Sequence, residues 1–253
     1  MLKIVGRYAR HGALAVLLAL PCLAAAQTVR VERVEESQFQ AGAGRITFSE
    51  VPLGTPNPVY PPQRYGAPAT SPTVSFGGHF VGRRLGRPDE CPPGAATSGC
   101  LVGTPRGPLA LDGAAPRTFT VDDRNERVLS GSPTFNGPVA ILFSRDVAAV
   151  GLVGGYFDAV GGTGITVYSR DGQVLGRTEN RRIGREFLGL ATSDLSERIA
   201  GLEFHLVGRE PAGFGVDNIR FGDSRQVRIP GVQPPPPPPP PAPPPPQRPI
   251  MLP

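Results

Sequence analysis

The sequence contains no tryptophan, and its 253 residues include only 5 tyrosines. Sugar-binding surfaces often depend on tryptophan, whose large ring has an apolar face and a polar edge, and that option is excluded here. Tyrosine combines an apolar ring with a hydroxyl group and is the remaining candidate for such a platform. The candidates in the body of the chain are Tyr60, Tyr65, Tyr156 and Tyr168.

Histidine is also scarce, with three in the chain. A serine hydrolase needs a base beside its nucleophile, and only His79 and His205 lie outside the N-terminal leader described below. His205 belongs to Ile199–Leu206, where apolar and other residues alternate, so we expect it to face solvent. No Gly-x-Ser-x-Gly motif is present, and no catalytic residue is predicted.

The chain has no apolar run of the roughly 20 residues that a membrane-spanning helix requires. The short run Ala13–Ala26 (ALAVLLALPCLAAA) follows Lys3, Arg7 and Arg10 and ends in three alanines. A basic start, a short apolar centre and a small-residue exit are typical of a secretory signal peptide. Residues 1–26 are therefore predicted to be a cleaved signal peptide.

Two alternatives to cleavage stay open, namely an uncleaved N-terminal anchor and lipidation of Cys22. Pro21 stands where a small residue usually precedes a lipidated cysteine. With cleavage, the mature chain begins at Gln27, carries no membrane span, and is exported to the periplasm, the cell surface or the outside.

Lysine is almost absent, since Lys3 is the only one. The whole chain has 26 basic and 21 acidic residues, and loss of the signal peptide leaves 23 and 21, a net charge of +2. The remaining arginines alternate with acids along the sequence, whereas a nucleic-acid-binding protein concentrates positive charge on one face. Nucleic acid is therefore not an expected partner.

Cysteine is limited to three residues, and Cys22 leaves with the signal peptide. Cys91 and Cys100 remain as an even pair in an oxidising compartment, which predicts a disulfide. A zinc site would need further ligands, and only His79 and His205 are available as imidazoles. No organic cofactor is indicated.

Proline is abundant and concentrated near the C-terminus, in Pro234–Pro241 and Pro243–Pro246. Such a run has fixed φ angles and no amide donors, so it favours polyproline II. The tail, residues 230–253, is predicted to be either a spacer or a segment that an envelope protein recognises through an aromatic-lined groove.

The pattern of the central region predicts an all-β structure. Short runs rich in Val, Ile, Phe and Thr recur between Gly and Pro breaks, which predicts an antiparallel β-sandwich over residues 46–229 after an N-terminal extension, residues 27–45. A hairpin is expected at Arg170–Gly172. Pro52–Pro116 is expected to form long loops that the disulfide holds.

The run Phe214–Phe221 does not alternate cleanly. Strict period two would place Phe214, Val216 and Asn218 on one face and Asp217 with the remaining apolar residues on the other. A polar group would then intrude on each apolar face.

Oxygen-bearing side chains near the first and last strands suggest a structural calcium site, since sandwiches often bring these strands together. Calcium takes six to eight oxygen ligands, and the candidates are Glu50, Asp158, Asp217 and Asn218. Alternatively, Asp217 and Asn218 make hydrogen bonds that attach loops to the strand.

Three blocks stand out along Ile46–Gly222: ITFSEVPLGTPNPVY, GPVAILFSRDVAAVGLVGGYFD followed by ITVYSRDGQVLG, and GFGVDNIRFG. Together they resemble a broad group of bacterial exported β-sandwich proteins that often carry PEP-CTERM sorting tails. The resemblance implies a galactose-binding-like or jelly-roll outline and a carbohydrate or exopolysaccharide ligand. The chain has no Pro-Glu-Pro sorting signal and no terminal transmembrane helix, so sorting of that kind is not implied.

These observations predict an exported, non-enzymatic binding or structural module of the cell envelope or extracellular space. The alternative is a secreted polysaccharide-active hydrolase on the same scaffold. Carboxylates that converge on one face would favour the hydrolase, whereas an open face without them would favour binding.

Overall fold

The computed structural model describes residues 30–121, 126–211, 214–233 and 236. The predicted signal peptide and nearly all of the polyproline run lie outside the described residues. Within these ranges the chain forms two short 3-10 helices, Glu36–Gln38 and Pro62–Tyr65, and 17 strands. The strands are β1 Val31–Arg33, β2 Gly44–Ile46, β3 Val59–Tyr60, β4 Val74–Gly77, β5 His79–Phe80, β6 Arg83–Leu85, β7 Leu101–Gly103, β8 Leu111–Asp112, β9 Arg117–Val121, β10 Glu126–Ser130, β11 Val139–Val147, β12 Ala149–Phe157, β13 Thr163–Tyr168, β14 Val174–Glu179, β15 Gly184–Thr192, β16 Ile199–Leu206 and β17 Gly215–Gly222.

Two antiparallel sheets form the body of the molecule. The larger sheet has the strand order β1-β15-β12-β17-β10-β9, and β2 pairs with β17 beside β10. The smaller sheet has the order β14-β13-β16-β11-β4-β3, and two short ribbons, β5–β8 and β6–β7, lie outside both. The predicted all-β antiparallel sandwich is confirmed. Among the described residues no helix is long and apolar enough to cross a bilayer.

The main core lies between the two sheets. It includes Leu188 and Leu190 from the larger sheet and Leu202 and Phe204 from the smaller one, all at most 2% exposed. Complete burial of a side chain of this size stabilises the fold by about 1.5–3 kcal/mol. Because successive side chains of a strand point to opposite faces, these residues show which face of each sheet points into the core.

The outer faces of both sheets are covered as well. On the larger sheet, Phe187 and Ala191 pack against Phe39 from the N-terminal segment and Val227 from the C-terminal segment. On the smaller sheet, Tyr168, Ala140 and Ala200 pack beneath Phe80 and Leu109. The central strands are consequently buried on both sides over much of their length.

This second layer corrects the prediction for His205, which is 7% exposed instead of facing solvent. Its ring lies on the outer side of β16, as the alternation indicates. There it forms hydrogen-bonding contacts with Thr166 Oγ1 at 3.2 Å and the Leu206 carbonyl at 3.0 Å. The sequence pattern identifies the side of the strand but not what packs over it.

The cover on the smaller sheet comes from residues 78–112, here called the covering segment. It carries four short strands, and Cys91 and Cys100 form the predicted disulfide within it, with a Cα–Cα distance of 5.8 Å. Arg83 reaches from this segment to Glu203 on β16, with Nε to Oε2 at 3.0 Å. The predicted long connections of Pro52–Pro116 are thus packed onto the sheet.

The described part of the N-terminal region also belongs to the sandwich. β1 pairs with β15 through Val31 and Thr192, and β2 pairs with β17 through Ile46 and Ile219. Arg33 links the two sheets, since it contacts Glu186 Oε1 at 2.6 Å and Thr178 Oγ1 at 3.0 Å. Residues 31–46 therefore help to close one edge of the structure.

Candidate functional site

Two β-bulges lie close together on adjacent strands of the larger sheet. On β17 the bulge falls at Asn218 and Ile219, which lie opposite the single residue Leu152, and Asn218 has φ +45°; on β12 the bulge includes Tyr156, with φ +66°. Both are left-handed backbone conformations that are uncommon for residues other than glycine. Bulges and strained residues of this kind are frequent at sites that must aim a side chain.

The bulge on β17 corrects the face assignment for Phe214–Phe221. Val216 before the bulge and Ile219 within it both point into the main core, although strict alternation would place them on opposite faces. The extra residue shifts the pairing with β12 between Gly151 and Val153. No polar side chain has to enter the core, because the register changes at Asn218.

The bulges surround a polar cluster on the outer face of the larger sheet. We call this cluster the face site; it comprises Glu126, Tyr156, Arg185, Asp217 and Asn218. Arg185 Nη1 donates to Glu126 Oε2 at 2.7 Å, and Nη2 lies 3.6 Å from Asp217 Oδ2. Asn218 Nδ2 donates to Asp217 Oδ2 at 2.6 Å.

A pair of glycines makes room for the arginine. Arg185 belongs to β15 and Glu126 to β10, and two strands, β12 and β17, separate them in the sheet. At this level the intervening strands present Gly155 and Gly215, which are register partners. A Cβ atom at Gly155 would lie only 3.3 Å from Arg185 Cγ, so the arginine stem lies directly over the glycine backbone.

Asp217 is the most perturbed acid of the face site. Burial raises the pKa of its carboxyl group to about 6, and the neighbouring Glu126 carboxylate acts in the same direction. The Asn218 amide and Arg185 oppose the rise by stabilising the charged form. The Asp217 carboxyl group therefore keeps its proton in mild acid and loses it near neutral pH.

The four candidate tyrosines occupy different environments. Tyr60 and Tyr168 are fully buried, and burial raises the pKa of each phenol. Tyr65 is partly buried and donates to the Pro72 carbonyl at 2.5 Å. Tyr156 is 45% exposed, which makes it the one tyrosine of the described chain with a broadly accessible ring.

The depression at the face site is very small. Tyr156, Glu126, Arg185 and Asp217 line a depression of about 10 Å³, the size of a single water. Arg185 and Glu126 remain 50% and 29% exposed at their side chains. The arrangement offers planar hydrogen-bonding groups beside an accessible aromatic ring.

The predicted calcium ligands are not gathered at one place. Glu50 accepts from Thr47 Oγ1 at 2.9 Å, and Asp158 donates its backbone amide to Glu210 Oε2 at 3.0 Å. Over the ranges that the structure describes, no group of three or more His, Cys, Asp or Glu side chains is arranged to hold a metal ion. Calcium binding stays a prediction.

Asn218 makes a hydrogen bond of the kind that the alternative predicts, but to the neighbouring strand β2 and not to a loop: its Oδ1 accepts from Arg45 Nη2 at 2.9 Å. Glu126 and Arg185 were not among the predicted site residues. Each comes from a different part of the sequence, and only the sheet order brings them to Asp217.

Glu203 and Glu210 are two of the buried acids that lie away from the face site. Glu203 is fully buried and accepts from the Phe80 amide at 2.9 Å, from Tyr168 Oη at 2.8 Å and from Arg83. Glu210 accepts two backbone amides, and burial raises the pKa of its carboxyl group. Both acids are held by the fold, which indicates structural roles.

Comparisons of the chain with protein-family models, with curated proteins and with solved structures found no match.

Proposed function

We propose that the protein is a non-enzymatic glycan-binding module whose ligand lies across the face site. The observation that carries the proposal is the exposed Tyr156 ring beside the Glu126–Arg185 ion pair on an otherwise covered sheet. Apolar faces of sugar rings stack on aromatic side chains, while carboxylate and guanidinium groups form paired hydrogen bonds with neighbouring hydroxyls.

The shape of the surface supports binding to a polymer. A shallow depression cannot enclose a small ligand, whereas a strip of ring, ion pair and amide can follow a chain of sugars. The resemblance to exported sandwich proteins points to the same ligand class, a carbohydrate or exopolysaccharide. Export rests on residues 1–26, which lie outside the described residues, and is part of the proposal.

The second candidate function is a polysaccharide hydrolase, and the Glu126–Asp217 pair favours it. Asp217, with a pKa of about 6, would serve as the acid. However, Arg185 Nη1 donates to Glu126 Oε2 at 2.7 Å and Nη2 lies 3.6 Å from Asp217 Oδ2, so one guanidinium group contacts both carboxyl groups. Glycosidases separate their two carboxyl groups by about 5 Å or more, because the reacting sugar carbon lies between them. An arginine between the two acids supports binding over hydrolysis.

Affinity electrophoresis combined with a reducing-end assay tests both functions. The purified protein is run through gels that contain xylan, laminarin, dextran or a soluble exopolysaccharide, and is incubated with each polymer. We expect retarded migration in at least one gel and no release of reducing ends. Release of reducing ends that Glu126→Gln abolishes would establish the hydrolase instead.

Tyr156→Ala supplies the residue-level test, with Val174→Ala as the matched control. Val174 is 57% exposed on β14 of the smaller sheet, far from the bulges in the strand order. Loss of a stacking ring should weaken retardation about tenfold, while the control migrates like the wild type. Equal retardation of Tyr156→Ala and the wild type contradicts the assignment of the face site.

A further inference from the structure

We propose that the chain has a second saccharide site, a cleft at the opposite end of β12 that takes a neutral mono- or disaccharide unit. This end cleft is lined by Tyr65, Thr70, Arg145, Glu197, Phe221 and Arg225, among others. Its ligand class rests on the proposed function, but its position and residues are separate from the face site.

The position of the cleft follows from the register of β12 and β17. Ala149 begins β12 and pairs with Gly222, which lines the cleft, whereas Tyr156 lies near the other end of the strand. Seven residues of extended chain separate Ala149 from Tyr156, a distance of about 23 Å. One short ligand therefore cannot occupy both sites.

The cleft has the size of a small-molecule pocket, with a volume of about 510 Å³. Pockets for small ligands usually measure about 300–1,000 Å³. It lies where loops meet at one end of the sandwich: residues 65–72, the β11–β12 turn, the β15–β16 connection and the segment after β17. Loops at the ends of a sandwich commonly carry binding residues on a rigid scaffold.

An aromatic wall forms one side of the cleft. The rings of Tyr65 and Phe221 meet edge to face, with centroids 5.3 Å apart. Gly44 lies against the same Phe221 ring, and a Cβ atom there would stand only 2.3 Å from Phe221 Cζ. The glycine thus makes room for the tip of the Phe221 ring beside β2, and the partly buried Tyr65 lines the cleft next to it.

Hydrogen bonds fix the walls before any ligand arrives. Arg145 Nη1 donates to the Thr70 carbonyl at 2.6 Å, which ties the 65–72 loop to β11. Gln226 accepts from the Asp223 amide at 3.0 Å and donates to the Gly42 carbonyl at 2.7 Å. A site with preformed walls loses less entropy on binding.

Glu197 and Arg225 are the polar groups that stay available to a ligand. Glu197 is exposed and makes no hydrogen bond or ion pair with the described residues. The Arg225 side chain is 80% exposed, and the one contact of its guanidinium group with the described residues is the 3.4 Å contact from Nη2 to Asp223 Oδ2. Both are planar groups that pair with adjacent hydroxyls.

The charges around the cleft select the ligand class. Arg145 and Arg225 face three acids, Asp146, Glu197 and Asp223, and Asp146 is already paired with Arg170. Neither a polyanion nor a polycation is matched by this mixed lining. A neutral, hydroxyl-rich ligand fits the lining best.

The inference is tested by ¹⁵N–¹H NMR titration with maltose, cellobiose, lactose and N,N′-diacetylchitobiose as probes. We expect at least one probe to shift amide signals of the cleft loops, with saturable binding. Glu197→Gln should raise the Kd about tenfold, because a hydrogen bond to a charged group is lost. Thr70→Trp, which places a bulky ring at the rim, should abolish the shifts.

The face-site variant separates this inference from the proposed function. Tyr156→Ala should leave cleft binding unchanged, and Glu197→Gln should leave retardation by polysaccharide gels unchanged. The inference is overturned if no probe shifts the cleft signals, or if the shifts persist with the same Kd in both cleft variants. Neither outcome changes the conclusion about the face site, which is tested separately by polysaccharide retardation.

Discussion

Asp217 and His205 are two ionisable residues that the fold buries, and burial changes their pKa values in opposite directions. It raises the pKa of Asp217 to about 6, and it lowers the pKa of His205 to about 4. Glu126 and Arg185 lie near the acid; Glu203, Arg83 and Arg177 lie near the imidazole. In both cases the neutral form is the one that the folded state favours.

The linked effects on stability have opposite signs. In mild acid the folded state holds the Asp217 proton more tightly than the unfolded chain does, so stability falls as pH rises through about 4 to 6. The unfolded chain binds the His205 proton more tightly, so stability rises over about pH 4 to 6.5. The two contributions partly cancel in the wild type.

Replacement of Asp217 should remove the aspartate contribution to the pH dependence of stability. We predict that the free energy of unfolding of Asp217→Asn, relative to the wild type, increases by about 2–3 kcal/mol between about pH 4 and pH 7. Urea unfolding at a series of pH values measures this difference. A difference that does not change with pH would show that Asp217 is not perturbed; His205→Gln, as the control, should change the pH dependence in the opposite sense.

At the scale of elements, the two bulges and the Gly155–Gly215 pair create the face site. Gly155→Val places a branched side chain where Arg185 now lies, at a position whose Cβ would be 3.3 Å from Arg185 Cγ. We predict that the Glu126–Arg185 pair breaks and that the pKa of Asp217 rises further, since Arg185 now lowers it.

NMR titration of the Asp217 carboxyl carbon measures this change, and polysaccharide retardation should be lost in parallel. Val174→Ala is again the control and should leave the Asp217 titration unchanged. Gly184→Ala is unsuitable, because Gly184 has φ +80° and a side chain there would strain the backbone. An unchanged Asp217 titration in Gly155→Val would contradict the role given to the glycine pair.

The covering segment is the second element with a testable role. Its disulfide closes a short loop, since Cys91 and Cys100 are nine positions apart in the sequence, and such a cross-link stabilises the fold by about 2–3 kcal/mol in the chain-entropy model. The free energy of unfolding of the double variant Cys91→Ala/Cys100→Ala should be lower than that of the wild type by this amount. Its urea midpoint should therefore be lower as well. Wild-type protein treated with reductant is the matched control and should behave like the variant; equal midpoints for oxidised and reduced protein would contradict the prediction.

The elements also show what sequence could and could not predict. The β13–β14 hairpin is specified locally by Asp171 and Gly172, and the structure confirms it. The environment of His205 depends on residues 78–112, which are more than 90 positions away, so alternation alone gave the wrong exposure. The bulge at Asn218 was signalled by the broken alternation of Phe214–Phe221, but the pattern did not distinguish a change of register from a polar intrusion.

Some residues of the face site could be predicted from the sequence and others could not. Asp217 and Asn218 were predicted as calcium ligands because they carry oxygen ligands in the last strand, with hydrogen bonds to loops as the alternative. Tyr156 was one of four candidate tyrosines, and only burial separates it from Tyr60 and Tyr168. Glu126 and Arg185 reach the site through the strand order β15-β12-β17-β10, which no local pattern specifies.

At the scale of the whole molecule, the protein is a sandwich with covering layers on both outer faces. The N- and C-terminal segments cover part of the larger sheet, and the covering segment lies on the smaller one. The remaining open part of the larger sheet carries Tyr156 and the Glu126–Arg185 pair. A surface left accessible in an otherwise covered fold is where a partner can bind, and its chemistry fits a glycan.

A glycan array probed in parallel with the wild type and Tyr156→Ala, each with and without EDTA, tests this central claim most directly. The account predicts that the wild type binds at least one class of glycan and that the variant loses that signal while keeping its fold. Loss of the wild-type signal in EDTA would add calcium to the site. Absence of any wild-type binding, or equal binding by the variant, would contradict the account.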